Sequence, residues 1–265
     1  MFSHEFETLL CTQPAEYTLQ LTLNRPEVGN ALNTKMGEEL RNFFTHYATH
    51  PNDLRCVVLT GAGGRQFCVG GDLKQRNGMS SDEWLAQHRI FEQAYWAMME
   101  FPIPLICAVN GHAFGGGLEM IMVADFAYGV PTAKFAFSET KLGIIPGGGG
   151  TQTMTRTAGA RRTKELIFTA QPFTADEALE WGVLNRICPQ EEILSASLAT
   201  AAIIAANAPL AVRQAKKAIH HGGQTDITRG LWLEIEAYNR LVFTEDRIEG
   251  VRAFNEKRTP LFKGR

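Results

Sequence analysis

Two stretches of the 265-residue chain repeat one arrangement: a short apolar run, two or three glycines, then an acid. They read Phe67-Cys68-Val69-Gly70-Gly71-Asp72 and Phe114-Gly115-Gly116-Gly117-Leu118-Glu119. Glycine lacks a Cβ, so the backbone can turn sharply there and another group can approach it closely. Amides exposed at two such bends could point at a single ligand oxygen. Tight turns between strands and helices would explain the same glycines without any ligand. Gly61-Ala62-Gly63-Gly64 and Gly147-Gly148-Gly149-Gly150 bring the chain to 25 glycines, most of the excess sitting in these few clusters. Glu119 and a second acid, Glu139, stand 20 residues apart, each behind a glycine- or aromatic-rich segment rather than along one exposed helix face. An acid is ordinarily a solvated surface group, so on pattern alone both are candidates and no more.

Other site chemistries lack their residues. No Gly-Lys-Ser/Thr closes a phosphate loop. No Gly-x-Gly-x-x-Gly follows the first strand with an acid suitably placed for a dinucleotide, and no Gly-x-Ser-x-Gly marks a nucleophile elbow. The seven histidines contain no His-Glu-x-x-His, so no metal is expected. His112, just ahead of the second glycine cluster, reads as structural. Cys68 shares its motif with no histidine and reads as a small buried thiol. The five cysteines are odd in number and contain no Cys-x-x-Cys, the usage of a reducing compartment. Lys and Arg number 26 against 28 Asp and Glu, so there is no chain-wide basic field for nucleic acid or an anionic membrane. The best local basic cluster, Arg161-Arg162 with Lys164, reads as solvated helix surface. No apolar run approaches the roughly 18–20 residues of a membrane span, and the polar opening Met1-Phe2-Ser3-His4-Glu5 does not read as a signal peptide. A cytoplasmic protein is expected, with neither membrane nor nucleic acid as partner.

The elements that must carry these residues alternate between strand and helix. Tyr17, Leu19, Leu21 and Leu23 alternate with polar residues, the period of a strand with one buried face. Phe6, Thr8 and Leu10 alternate more weakly, and a turn is expected at 13–16. Asn24-Arg25-Pro26 ends the second strand, because proline removes a donor and restricts Arg25. A helix over 34–49 would turn Met36, Leu40, Phe43 and Phe44 inward. The runs at 55–60 and 104–109 are unbroken and apolar, as in inner strands covered on both faces. Ser80-Ser81-Asp82-Glu83 is a capping box opening a helix through Trp84, His88, Phe91, Tyr95 and Met98. Met79, Trp84, Phe91, Trp96 and Met98 read as core more readily than as a ligand pocket. Thr174-Ala175-Asp176-Glu177 is a second capping box, with Gly182 placed to stop its helix. Beyond residue 195 the strand pattern gives way to helices, one admitting Pro209 in its first turn. Their apolar faces must pack on the chain's own core or on a neighbouring subunit. The element order is α/β, organised as a core over 1–195 and a helical region over 196–265. At 45% hydrophobic residues the chain is not disordered, and its length suffices for a core without disulfides.

Longer motifs connect these pieces. Asn110-Gly111-His112-Ala113-Phe114-Gly115-Gly116-Gly117-Leu118-Glu119 is followed by Phe135-Ala136-Phe137-Ser138-Glu139-Thr140-Lys141-Leu142-Gly143-Ile144-Ile145-Pro146-Gly147-Gly148-Gly149-Gly150-Thr151-Gln152. With Leu23-Asn24-Arg25-Pro26, the Phe67-to-Asp72 stretch and the ending Glu249-Gly250-Val251-Arg252-Ala253-Phe254-Asn255-Glu256-Lys257-Arg258, the chain resembles the enoyl-CoA hydratase/isomerase (crotonase) superfamily over nearly its whole length. The resemblance implies a crotonase-like spiral of repeated ββα units, closed by a C-terminal helical trimerisation region. It also implies a homotrimer, or a hexamer built as a dimer of trimers. The implied activity is reversible syn addition of water to trans-2-enoyl-CoA, with coenzyme A as part of the substrate and no metal or redox cofactor. The implied oxyanion hole is the backbone N–H groups of Gly71 and Gly116. Glu119 and Glu139 match the two hydratase glutamates, the first holding and activating water, the second exchanging the proton at carbon 2. By the same resemblance, Arg25 and Lys74 lie near the CoA nucleotide. The backbone at Val69 and Gly70 lies beside pantetheine and adenine, and Tyr238 and Lys257 reach CoA from a neighbouring subunit. Gly71 stands where alanine is frequent and Tyr238 where phenylalanine is commoner. An isomerase, needing one proton-shuttling acid, or another specialised acyl-CoA lyase is the alternative. An RNA-binding or scaffolding member is a remoter one.

Overall fold

A computed structural model describes residues 6–265. The opening read above for a signal peptide, Met1-Phe2-Ser3-His4-Glu5, lies outside the described residues. The strands are β1 (Leu9–Ala15), β2 (Thr18–Leu23), β3 (Cys56–Gly61), β4 (Gln66–Cys68), β5 (Leu105–Val109), β6 (His112–Phe114), β7 (Phe126–Gly129), β8 (Lys134–Ala136), β9 (Phe173–Thr174) and β10 (Arg186–Ile187). A larger sheet runs β1-β2-β3-β5-β7-β10 and a smaller one β4-β6-β8-β9. The pairs β3/β4, β5/β6 and β7/β8 each send their first strand to the larger sheet and their second to the smaller. Because β3, β5 and β7 are parallel neighbours, and β4, β6 and β8 likewise, each ββα turn stacks on the one before. That is the spiral the family resemblance implied.

The apolar runs at 55–60 and 104–109 become β3 and β5, buried along their whole lengths. The N-terminal hairpin departs from its expected form. β1 runs through Ala15, and the turn is Glu16-Tyr17 with Tyr17 at φ +62°. Pro14 can sit in β1 because this strand is an edge, bonded to β2 alone. The helix Ile193–Ala205 packs on β2 as well, and Thr18 and Thr22 are buried along with Leu21 and Leu23, so the one-faced alternation fails.

Helix α1 (Thr34–Thr49) has the expected bounds, capped by the Asn33 side chain on Met36 N–H, and it packs Met36, Leu40, Phe43 and Phe44 into the core. A short α2 (Leu73–Arg76) precedes α3 (Ser81–Met99), which lies against α1 and opens on the Ser80/Glu83 capping box. Phe91 and Met98 of α3 are core, while Trp96 is exposed. Next come α4 (Gly116–Val123), α5 (Gly150–Ala158), α6 (Ala160–Thr169) and α7 (Ala175–Glu180). The Thr174/Glu177 box opens α7, and Gly182 follows its end at φ +79°. The C-terminal helices are α8 (Ile193–Ala205), α9 (Pro209–Gly222), α10 (Ile227–Asn239) and α11 (Glu245–Glu256). The expected boundary near 195 falls inside α8, whose Ile193, Ser197, Ala201 and Ala205 are buried and which packs on β3 and β5. Beyond α8 apolar side chains turn outward: Phe243 is 89% exposed and Phe254 84%. Among the described residues no single helix is long and apolar enough to cross a membrane. Only α8 with α9 passes that test, as a pair bent by 106°.

Candidate active site

The smaller sheet brings the two glycine bends together. β4 and β6 are parallel neighbours, so the chain leaves both at the same edge. After β4, Gly70 takes φ +88°; Leu32 N–H donates to Gly70 O at 2.8 Å and Asp72 N–H to Leu32 O at 2.9 Å. These bonds pin Gly71 from both sides without using its own amide. After β6, Gly115 takes φ +50° and donates to Ala136 O, and α4 begins at Gly116. A Cβ on Gly70 would stand 2.9 Å from Phe114 O and 3.2 Å from Gly116 N, so the bends touch only because glycine is there. The Gly116 amide belongs to the first turn of α4, where no intrahelical acceptor exists and the helix dipole is positive. Among the described residues neither the Gly71 nor the Gly116 amide donates to a protein oxygen. Tyr95 Oη of α3 donates to Gly116 O at 2.6 Å and fixes the second bend.

Glu119, in the first turn of α4, is 4% exposed. Its Oε1 accepts from Gly148 N–H and Gly150 N–H, both at 2.8 Å. That contact accounts for the cluster at 147–150, whose backbone wraps the carboxylate. Burial pushes this carboxyl above the usual range, against the pull of those amides. Glu139 opens a 3-10 turn (Glu139–Leu142) after β8, is 8% exposed, and has a buried Oε2 with no hydrogen-bond partner among the described residues. Burial first, then the Glu119 charge, pushes its carboxyl up to about 7. A Cβ on Gly115 would lie 3.1 Å from Glu139 Oε1, so this carboxyl faces the second bend. Buried polar atoms are nearly always satisfied; an orphan oxygen on the carboxyl that faces the second bend points to a ligand there. Two coupled carboxyls, both pushed up by burial, can hold one proton between them, which supplies an acid and a base at once.

The remaining predicted site residues divide. Arg25 Nη1 donates to Asp72 Oδ2 at 2.9 Å and to Ala31 O at 2.6 Å, bracing the first bend from inside the protein. Lys74 is exposed on α2. Val69 is half-buried and lines a 340 Å³ hollow with Pro26, Gly29 and Arg65. Tyr238 on α10 and Lys257 at the end of α11 are exposed, and no side-chain hydrogen bond or ion pair joins either to the glutamates. Sequence reading placed Tyr95 on a helix and no further; its one available signal was a phenol on a core-facing stripe, which needs a polar partner. Cys68 is buried and its thiol pushed up to about 12 by burial, which suppresses the nucleophilic thiolate. His112 Nδ1 accepts from Lys134 N–H at 3.0 Å, a structural contact. Among the described residues one group, Glu100, His220 and His221, gathers three metal-capable side chains within 4.8 Å. His220 lines a 1030 Å³ cleft that Tyr95 and Gly148 also reach; neither catalytic candidate belongs to the group.

The spiral of stacked ββα turns is the crotonase fold. Residues 15–265 match the family model described as enoyl-CoA hydratase/isomerase, and the chain belongs to that family. It is 39% identical to YngF of Bacillus subtilis (strain 168), a protein named provisionally as an enoyl-CoA hydratase/isomerase, over 97% of this chain and 99% of that one. It is 37% identical to the short-chain-enoyl-CoA hydratase of Clostridium acetobutylicum, over 90% and 91% of the two chains. The crystal structure of an enoyl-CoA hydratase from Bacillus anthracis superposes with a TM-score of 0.95 at 39% identity, covering 98% of this chain and all of the other.

Proposed function

We propose that the protein adds water reversibly across the double bond of trans-2-enoyl-CoA, giving 3-hydroxyacyl-CoA. The observation that carries this reading is the coupled pair of buried carboxyls set against two free backbone amides. Ionised Glu119 takes a proton from water as the water oxygen attacks carbon 3. The π electrons move through carbon 2 onto the thioester oxygen, forming an enolate. The amides of Gly71 and Gly116 receive that charge where it grows, and one such donor is worth about 3–4 kcal/mol. Glu139 then gives its proton to carbon 2 on the same face. The pair ends with one proton, as it began, and solvent exchange returns that proton to Glu139. An isomerase would lift and return a proton with one carboxyl; the raised state of both supports hydration.

The CoA nucleotide lies along the first bend in this reading, past Val69 and Gly70, with Lys74 and the half-engaged Arg25 as cations for phosphate. The hollow beside Val69 and its Arg65 support that path. Tyr238 and Lys257 complete the site from a neighbouring copy in a homotrimer or a hexamer of paired trimers, and the outward apolar faces of the tail helices support such an assembly. Short acyl chains are favoured by the name of the Clostridium relative. A panel of straight, branched and aromatic enoyl-CoA esters tests the reaction, read by loss of the conjugated thioester absorbance and by product identity. Formation of 3-hydroxyacyl-CoA is expected. Conversion of 3-enoyl to 2-enoyl esters with no hydration anywhere in the panel would assign an isomerase instead.

A further inference from the structure

Arg76 closes α2 and stands against the first glycine bend. A Cβ on Gly71 would lie 3.2 Å from Nη1 of Arg76, so the glycine here leaves the guanidinium room that an alanine would crowd. The guanidinium carbon sits 4.3 Å from the Trp84 ring centre and 5.4 Å from that of Phe91. Its Nε donates to Gln87 Oε1 at 2.8 Å. Gln87 is buried, and its Nε2 donates to Thr34 Oγ1 and Gln75 Oε1, both at 2.8 Å, which fixes the amide with its oxygen toward Arg76. The group is therefore held in one orientation by buried structure.

Its charge meets the rings of Trp84 and Phe91 but no anion among the described residues. Among the described residues Arg76 makes no ion pair. The natural partner one helical turn earlier, Asp72, is held by Arg25 and caps α2 with its other oxygen. Glu83 is occupied by the Ser80 cap. Nη1 and Nη2 donate to no protein group among the described residues. A half-buried cation without a counter-charge is costly, and burial pushes this guanidinium below its ordinary range. A planar fork, pre-oriented and facing the proposed thioester site, is suited to a carboxylate.

We propose that Arg76 receives a carboxylate carried on the acyl chain, making short enoyl-CoA esters of dicarboxylic acids the preferred substrates. This rests on the hydratase reading above. The nearness of Arg76 to Gly71 sets the reach, because the carboxylate must return to within a few bonds of the thioester. CoA phosphate offers the same anionic chemistry, and the test separates the two.

Glutaconyl-CoA and crotonyl-CoA differ by the distal carboxylate; glutaryl-CoA and butyryl-CoA are unreactive counterparts for binding. The wild type should favour glutaconyl-CoA in kcat/KM and glutaryl-CoA in Kd. Arg76→Gln should lower both ratios by about 10- to 100-fold, the range of a lost charged hydrogen bond, chiefly through KM, with Arg76→Lys intermediate. No wild-type preference for the carboxylate esters would overturn the proposal. So would equal losses for both esters, which would put the anion on CoA or leave Arg76 a packing residue. If neither enoyl ester is hydrated the hydratase reading falls, and the binding ratio of the unreactive pair still decides Arg76.

Discussion

Replacing Glu139 by Gln should stabilise the fold, and only above a definable pH. In the folded protein this carboxyl ionises at about 7, against an ordinary 4.5, because burial and the Glu119 charge oppose its ionisation. Between those two values the folded state keeps a proton that the unfolded chain has released, so stability falls as pH rises. The loss is absent below 4.5, accumulates to about 7 and is constant above it. Each pKa unit corresponds to about 1.4 kcal/mol, so the full loss is roughly 3 kcal/mol. Glutamine keeps the shape without the ionisation and escapes that loss. Thermal or urea unfolding of wild type and Glu139→Gln at intervals from pH 4 to 9 measures the difference. The variant should gain on the wild type from about pH 5 and reach its full advantage near pH 7.5. A difference independent of pH, or a variant less stable at pH 8, would refute the assigned burial and coupling.

Gly70→Ala should break the site while keeping the fold. Its φ of +88° and the 2.9 Å approach to Phe114 O force the two bends apart, and kcat should fall by about 10²–10³, the effect of losing one oxyanion donor, with the circular dichroism spectrum retained. Tyr95→Phe deletes the hydrogen bond to Gly116 O; a stability loss of about 1 kcal/mol and a fall in kcat larger than any rise in KM are expected from denaturation and steady-state kinetics. Sedimentation of the purified protein should give a trimer or hexamer, and a stable monomer at micromolar concentration would remove Tyr238 and Lys257 from the CoA site.

Local devices were legible and long-range pairing was not. The bounds of α1, the Ser80/Glu83 and Thr174/Glu177 boxes and the stop at Gly182 are written in adjacent residues, because their hydrogen bonds close within one turn. The glycine bends were visible as bends. That Gly148 and Gly150 serve Glu119 was not, since those contacts join residues 29 and 31 positions apart and depend on how α4 meets α5. The pairing of Arg25 with Asp72 is likewise hidden in the sequence, because the two stand 47 positions apart. The N-terminal hairpin misled because leucines alternate in β2 even though both its faces are covered. The spiral itself came through the family motifs, as nothing in the periodicity says which strand joins which sheet.

In the proposed reaction two carboxyls divide one hydration. Steady-state kinetics of Glu119→Gln, Glu139→Gln and the double variant, each assayed for hydration and for 3-enoyl to 2-enoyl conversion, tests it most directly. Each single change should lower kcat for hydration by about 10²–10⁴ with KM little altered. The double variant should lose less than the product of the two, because both groups act in one transition state. Near-full hydration by Glu119→Gln would contradict the assignment of water to Glu119, whatever Glu139→Gln does.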